Sequence, residues 1–504
     1  MFFRHDKGGS LEQGAGKRRR RTAGVSRGHG EERAEAAPED QSAAAEPTLP
    51  ETVLSWPKRV LGAALERTWG EQKEAQFAAH RTTKDYIWNT AGFASWGLVF
   101  PLLTIVVSQL VGPDLAGVFS LAFITASLLM IVGNFGMRPF QVSDIAQHYR
   151  FSSYQSSRLL CCGLMLVVAL VWFWLRGYSG DLWQVCCGVT LYKLFDAWAD
   201  VYEGRLQQCD KLYLGGISQT LRSVLVFMVA TLTLVVSHNL VAASYAMAVA
   251  AALSFAGVTL PLALLETPKS APGQTGGPQH GGTLALLRAC FPLFAALFLY
   301  TLVDNLPKFV IDGVGGPAAY TNQLFFNALY FPAQAILLTG GFIYKPMLGR
   351  MAADWAQRSR HGRFDLRIIL LVAAIVAITV IGILVMGWIG IPVFSWLYGV
   401  DFGGVPGMST MTLIMVAAGG VTGICDLLYQ VIAVLREQRK VTKLYLVTFA
   451  FSLLVLLLLV PMTGLAGAVT GYLIVMAILM LLLVWQYLTI RIEQYRATRQ
   501  EGLS

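Results

Sequence analysis

"LALLRACFPLFAALFLYTLVDNLPKFVID" occupies residues 284–312. From Leu284 to Val303 it is apolar apart from Arg288 near its start. About 20 such residues in a helix, rising 1.5 Å each, cross the roughly 30 Å hydrocarbon core of a bilayer. The run then meets Asp304, Lys308 and Asp312. Four-residue spacing places these three on one helical face. A charge at the centre of a spanning helix costs about 2.5–3.5 kcal/mol on insertion scales, so an acid–base–acid stripe demands a reason.

Segments of the same kind recur from residue 86 to residue 489. They predict twelve spans: 86–111, 115–137, 159–176, 182–199, 214–236, 240–265, 285–312, 318–344, 367–391, 408–434, 443–461 and 463–488. Composition agrees. The 504 residues are 55% hydrophobic and 14% charged, with mean hydropathy +0.55. Soluble domains carry about 25% charged residues. The chain therefore reads as an all-α polytopic membrane protein. The +9 net charge sits mostly in the first residues and in short loops, which argues against a nucleic-acid partner. Nearly all of the seven cysteines (161, 162, 186, 187, 209, 290 and 425) lie in apolar segments without CxxC spacing. They read as small packing residues rather than disulfides or metal ligands. No histidine falls mid-span, which argues against a histidine proton relay.

Residues 1–52 form a low-complexity tail, with "KRRRR" at 17–21 and an Ala/Glu/Pro-rich stretch at 31–47. Too little apolar area is present to fold it. Over 53–84, Leu54, Leu61, Leu65 and Trp69 recur at helical spacing between charges, which predicts an interfacial amphipathic helix. Loops after even-numbered spans hold Arg138, Arg150, Arg158, Arg205, Lys211, Lys269, Lys345, Arg350, Arg358, Arg360, Arg363, Arg436, Arg439 and Lys440, whereas loops after odd-numbered spans hold little beyond Arg176. The positive-inside rule puts both termini in the cytoplasm.

The chain also repeats itself. "VGPDLAGVFSLAF" (111–123) precedes "GNFGMRPF" (133–140), and "GGPAAYTNQLFF" (315–326) precedes "GGFIYKPM" (340–347). The signatures open the second span of each half. Six spans per half is even, so the halves share one orientation, as in transporters that rock two bundles about a central site. The predicted division is a six-helix bundle over 85–266, a cytoplasmic linker over 267–283, a second six-helix bundle over 284–490, and a cytoplasmic tail over 491–504.

Charged residues inside spans are Lys193, Asp196, Asp200, Arg222, Asp304, Lys308, Asp312 and Asp426. Counting about 1.5 Å per residue, Lys193 falls near the midplane and Lys308 near the outer edge. Lys193 with Asp196, and Lys308 with Asp304, also fit structural ion pairs, and Lys308 fits a snorkelling side chain. Arg222 has no acid one turn away. Pro307 removes a helical donor beside Asn305, which predicts a broken helix there.

Six stretches resemble the Wzx-type polysaccharide exporters, flippases of lipid-linked oligosaccharides in the multidrug/oligosaccharidyl-lipid/polysaccharide (MOP) superfamily. They are "GMRPFQVSDIAQHYRFSSYQSSR" (136–158), "LYKLFDAWADVYEGRLQQCDKLYLGG" (191–216), "SQTLRS" (218–223), "NLPKFVID" (305–312), "FFNALYFPAQAILLTGGFIYKP" (325–346) and "WLYGVDF" (396–402). The chain departs from the family pattern at Phe309, where members commonly carry tyrosine. The resemblance implies a MOP/MATE-like fold in the bacterial cytoplasmic membrane. It also implies that undecaprenyl-diphosphate-linked oligosaccharide is moved from the cytoplasmic to the outer leaflet by alternating access. A cationic cavity suits a diphosphate. Lys193, Arg222, Lys308 and Asn305 are the expected substrate contacts. Asp304, Asp312, Asp196, Asp200, Asp426 and Pro307 are expected in gating or ion coupling, with Asp304, Lys308 and Asp312 latching an outer gate. No cofactor, metal or enzymatic activity is expected, and the drive would be a proton or sodium gradient or the membrane potential. Partners would be the lipid-linked glycan, membrane lipids, a polysaccharide polymerase and glycosyltransferases. A lipid II flippase and a MATE-like multidrug exporter are the competing readings. The exporter of cations would favour acids over bases in its cavity, and here bases occur in both halves.

Overall fold

A computed structural model describes residues 74–501 except 145–148, 268–281, 315–317, 349–350, 352–353, 356–360 and 436. The expected tail, residues 53–73 of the expected interfacial helix and most of the expected linker lie outside the described residues. The described part is helical, and no strand occurs among the described residues. Twelve long helices follow in order: α1 Glu74–Val111, α2 Pro113–Asn134, α3 Phe151–Leu175, α4 Gly180–Gln208, α5 Leu212–Ser237, α6 Leu240–Glu266, α7 Thr283–Val314, α8 Ala319–Tyr344, α9 His361–Tyr398, α10 Met408–Val434, α11 Gln438–Thr463 and α12 Leu465–Glu501. Residues 74–84, expected to finish the interfacial helix, instead run unbroken into α1.

Among the described residues, eleven of these helices are long and apolar enough to cross a membrane. The other is α4. It has the length, at 29 residues, but also Asp181, Lys193, Asp196, Asp200, Glu203 and Arg205. Apart from Asp181 at its exposed start, these groups are tolerable because neighbouring helices cover them wholly or in part. The α1–α2 turn shows how local chemistry sets a boundary. Gly112 adopts φ +102°, closed to most side chains, and Pro113 follows at the first helical position, where its missing N–H costs nothing.

Helix partners repeat. α1 packs on α5 as α7 packs on α11, and α2 on α4 as α8 on α10. α4 and α5 both pack on α6, as α10 and α11 both pack on α12. The helices before and after residue 267 meet along α2–α8, α2–α7, α3–α7, α1–α9 and α1–α8. Below, the end of the bundle holding the start of α1 and the end of α12 is the terminal end, and the opposite one is the far end.

Candidate functional site

Four charged residues of α4 lie at 3–4–3 spacing, Lys193, Asp196, Asp200 and Glu203, and so share one face. That face organises a buried chain of alternating charge. Lys193 Nζ donates to Asp196 at 3.2 Å, and Arg222 of α5 donates to Asp196 at 2.7 Å and to Glu203 at 2.8 Å. Glu203 lies 3.6 Å from Arg138, which pairs with Asp200 at 2.9 Å; Asp200 also pairs with Arg158 of α3 at 2.7 Å. Arg138 sits on a short helix, Met137–Ser143, that follows α2. One turn of α6, Phe255–Thr259, is π-helical. It carries Thr259, whose hydroxyl lies within hydrogen-bond reach of Ser218 (2.7 Å) and accepts from Arg222 (3.4 Å). Lys193 is 1% exposed. Its ammonium lies 4.7, 4.5 and 4.6 Å from the ring centroids of Trp96, Phe123 and Tyr192, and Trp96 Nε1 donates to Asp196 at 2.8 Å.

Lys308 belongs to a separate cluster. It is 2% exposed, donates to Asn305 Oδ1 at 2.9 Å and sits 3.9 Å from the ring centroid of Tyr330. Burial on an aromatic face sets aside the snorkelling that the sequence offered as an alternative. Asp304 does not pair with it directly. Its carboxylate accepts from Tyr330 at 2.5 Å and from Tyr472 of α12 at 2.8 Å. Asp312 turns away from both, to Arg176 and to Tyr178 at 3.0 Å. The expected Asp304–Lys308–Asp312 latch is therefore corrected: each member of the stripe has its own partners. Asp426 stands apart, bonded to Tyr344. Tyr472→Phe removes one of two donors to a carboxylate, so it is expected to lower stability by about 1.5–3 kcal/mol, measured as a thermal shift in detergent.

Nor is α7 broken at Pro307. The helix runs continuously from Thr283 to Val314 through Pro292 and Pro307. Side-chain amides serve nearby carbonyls: Asn305 Nδ2 donates to Thr301 O at 3.0 Å, and Gln323 Nε2 donates to Lys308 O. Neither is the carbonyl of Val303, the one that Pro307 deprives of its helical partner, so the helix carries that single loss without breaking.

Between the two clusters, burial of α2 and α8 changes along the bundle. At the far end Gln323–Tyr330 of α8 and Ala116–Ala126 of α2 are buried throughout. Toward the terminal end this changes. α2 leaves Ser127, Leu128, Ile131 and Asn134 half-buried, and α8 exposes Phe331, Ala335, Leu338, Thr339 and Phe342. Each set recurs at helical spacing on one face. Both helices have neighbours on several sides: α1, α3, α4, α7 and α8 for α2, and α1, α2, α7, α9, α10 and α12 for α8. The exposed faces show α2 and α8 parting toward this end, while α7 still joins the halves there, with Phe294 stacked on Phe135 at 4.3 Å and Thr283 Oγ1 2.9 Å from Ser156 Oγ. The middle of α7, Leu293–Leu302, is likewise half-buried along its whole length. These faces are apolar with a few hydroxyls and amides.

Sequence reasoning finds Lys193, Asp196, Asp200, Arg222, Asp304, Asn305 and Lys308, and the structure brings the first four into one network and the last three into another. It misses Glu203, although the 3–4–3 spacing extends to it. Arg138 and Arg158, which read as loop charges in the sequence, belong to the buried network. Trp96, Tyr330 and Tyr472 carry no sequence signal beyond being aromatic.

No family model and no curated protein matches the sequence. Solved structures do. The lipid II flippase MurJ in an inward closed conformation aligns at TM-score 0.60 and 11% identity, covering 80% of this chain and 87% of that one. The Vibrio cholerae MATE transporter VcmN, in a point-mutant form, aligns at 0.53 and 16%, covering 81% and 98%. An inward-facing multidrug resistance MATE transporter of the MOP superfamily aligns at 0.55 and 14%, covering 79% and 95%. The fold is thus that of the MOP-superfamily transporters. The twelve-helix, MATE-like architecture expected from the sequence is the one observed.

Proposed function

We propose that the chain is a flippase that moves a lipid-linked oligosaccharide on undecaprenyl diphosphate from the cytoplasmic to the outer leaflet of a bacterial plasma membrane. The terminal end, which holds the basic loops, is then cytoplasmic, and α2 and α8 part toward the leaflet on which the substrate is made. One observation carries the reading. Each half buries a lysine against an aromatic ring of its second helix. Lys193 lies 4.5 Å from the Phe123 ring and Lys308 lies 3.9 Å from the Tyr330 ring. Two desolvated cations, one in each half, suit a diphosphate headed by sugars on a long hydrocarbon chain. The work is transport without enzymatic turnover or cofactor, driven by an ion gradient or the membrane potential, and the product passes to a polymerase.

Leaflet-resolved detection of lipid-linked glycan in a strain lacking the chain tests this. The precursor is expected to accumulate on the cytoplasmic leaflet; an unchanged distribution overturns the proposal. Lipid II is followed in the same cells, and accumulation of lipid II alone would move the assignment to that substrate. Lys308→Met, expressed at wild-type level, is expected to lower the initial flipping rate about tenfold, the worth of one charge-assisted contact.

A further inference from the structure

We propose that Arg176, Tyr178 and Asp312 form the latch that holds the far ends of the two halves together, and that this latch opens when the protein opens at that end. Arg176 closes α3, and Asp312 lies in the last turn of α7. Among the described residues, theirs is the one salt bridge that joins the helices before residue 267 to those after it. Tyr178 adds a second donor to the same carboxylate oxygen, at 3.0 Å.

The turn is built to present both donors. Gly177 adopts φ +65°, its N–H donates to Trp174 O at 3.0 Å, and Tyr178 N–H donates to Phe173 O at 3.0 Å. This closes α3 with a left-handed glycine just past the helix end. The Tyr178 ring then stacks on Phe173, with centroids 5.9 Å apart. The latch therefore needs no induced loop order. On the other side, Gly313 packs beside the Arg176 guanidinium, where a Cβ would lie 3.7 Å away in ordinary contact. Trp172 meets Phe309 edge-on at 5.9 Å, extending the contact across the halves.

The surrounding contacts explain why charge matters here. Ser108 donates to Tyr398 O at 2.7 Å, Gln109 donates to Leu397 O at 2.8 Å, and Thr321 donates to Asp114 at 2.5 Å. These bonds also cross between the halves at the far end. The first two join neutral groups, for which water substitutes at little cost once the seam parts. Asp312 has a side chain 9% exposed, and it loses a guanidinium and a phenol together. Arg176 is also the one lysine or arginine in the connections at this end. No neighbouring cation there can replace it.

The test needs no substrate, so its failure and that of the proposed function are separable. Full-length protein in lipid nanodiscs, with Cys187 and Cys209 replaced by alanine, carries spin labels at Val236→Cys and Met462→Cys. These are exposed positions at the far ends of α5 and α11. Asp312→Asn and Arg176→Gln are each expected to raise the ratio of long to short label distances about tenfold. Tyr178→Phe is expected to move it less, in the same direction. Distances unchanged in both charge variants overturn the latch. If either charge variant fails to fold, Arg176→Met, which keeps the length and loses the charge, takes its place, and unchanged distances there overturn it equally.

Discussion

Arg222→Leu is expected to be the most damaging single substitution in the first half, lowering stability by about 3–5 kcal/mol. Arg222 is 2% exposed and bridges two carboxylates, at 2.7 Å to Asp196 and 2.8 Å to Glu203. Its removal leaves Asp196 with Lys193 and Trp96. Glu203 keeps only Ser218 at 3.3 Å and the more distant Arg138 at 3.6 Å. A charge stripped of its main partner in a low-dielectric interior costs far more than the intact pair contributes. The measurement is thermal unfolding of purified protein in detergent, alongside the yield of monodisperse material. Arg222→Lys retains the charge but cannot reach both carboxylates with one planar fork, so its loss falls between. The triple variant Arg222→Leu, Asp196→Asn, Glu203→Gln removes the uncompensated charge and is expected to recover much of the loss. Equal damage in the single and triple variants would show that Arg222 matters for its packing volume rather than its charge.

Lys193→Met is expected to be milder. Asp196 would still accept from Arg222 and from Trp96, and the three rings around the ammonium accommodate an apolar side chain of similar length. The contrast separates the two cations that sequence reasoning places together in a substrate site. Arg222 is tied into a network that holds α4, α5 and α6 together, whereas Lys193 ends that network beneath Trp96 and Phe123.

Much of this molecule is legible from local chemistry. Apolar runs of bilayer length locate the helices, and Gly112-Pro113 marks a turn. Lys193 and Asp196 are near enough in sequence to be read as a pair. What escapes is tertiary. Arg176 and Asp312 are separated by 136 residues, and no local pattern joins them. Arg222 looks orphaned in the sequence because both its carboxylates lie on another helix. The positive-inside rule treats basic residues near span ends as orientation signals and so puts Arg138 and Arg158 in loops, yet Arg158 is fully buried against Asp200, Asn134 and Gly133. Pro307 misleads for a related reason. Proline removes one helical hydrogen bond, but the buried packing of Val303 and of Leu306–Ile311 keeps the helix continuous. The 3–4–3 spacing on α4 is the exception, since spacing alone is enough to mark Glu203 as a member of the charged face.

Gly117→Ala is expected to be destabilising, against the usual direction for a helical glycine. Replacing glycine by alanine inside a helix ordinarily stabilises by up to about 1 kcal/mol through backbone entropy. At Gly117, however, α2 and α8 approach so closely that a Cβ would lie 1.9 Å from Tyr320 O, a backbone atom that no rotamer change can move. The helices must separate at the far end. Overpacking of this kind costs about 1–3 kcal/mol, and here the cost falls on the far-end-closed arrangement. Gly163→Ala on α3 is the control, because a Cβ there meets nothing within 4 Å. In thermal unfolding, Gly163→Ala is expected to be neutral or stabilising and Gly117→Ala destabilising. Far-end label distances are expected to lengthen only in Gly117→Ala. The neighbouring contacts Asp114–Thr321 and Gln109–Leu397 lie along the same end of the seam, so forcing α2 from α8 loosens the far-end closure while leaving Arg176 and Asp312 chemically intact. A Gly117→Ala protein with wild-type stability and wild-type distances would mean that α8 shifts freely along the seam, and the far end would then owe its closure to the Arg176–Asp312 pair rather than to helix contact.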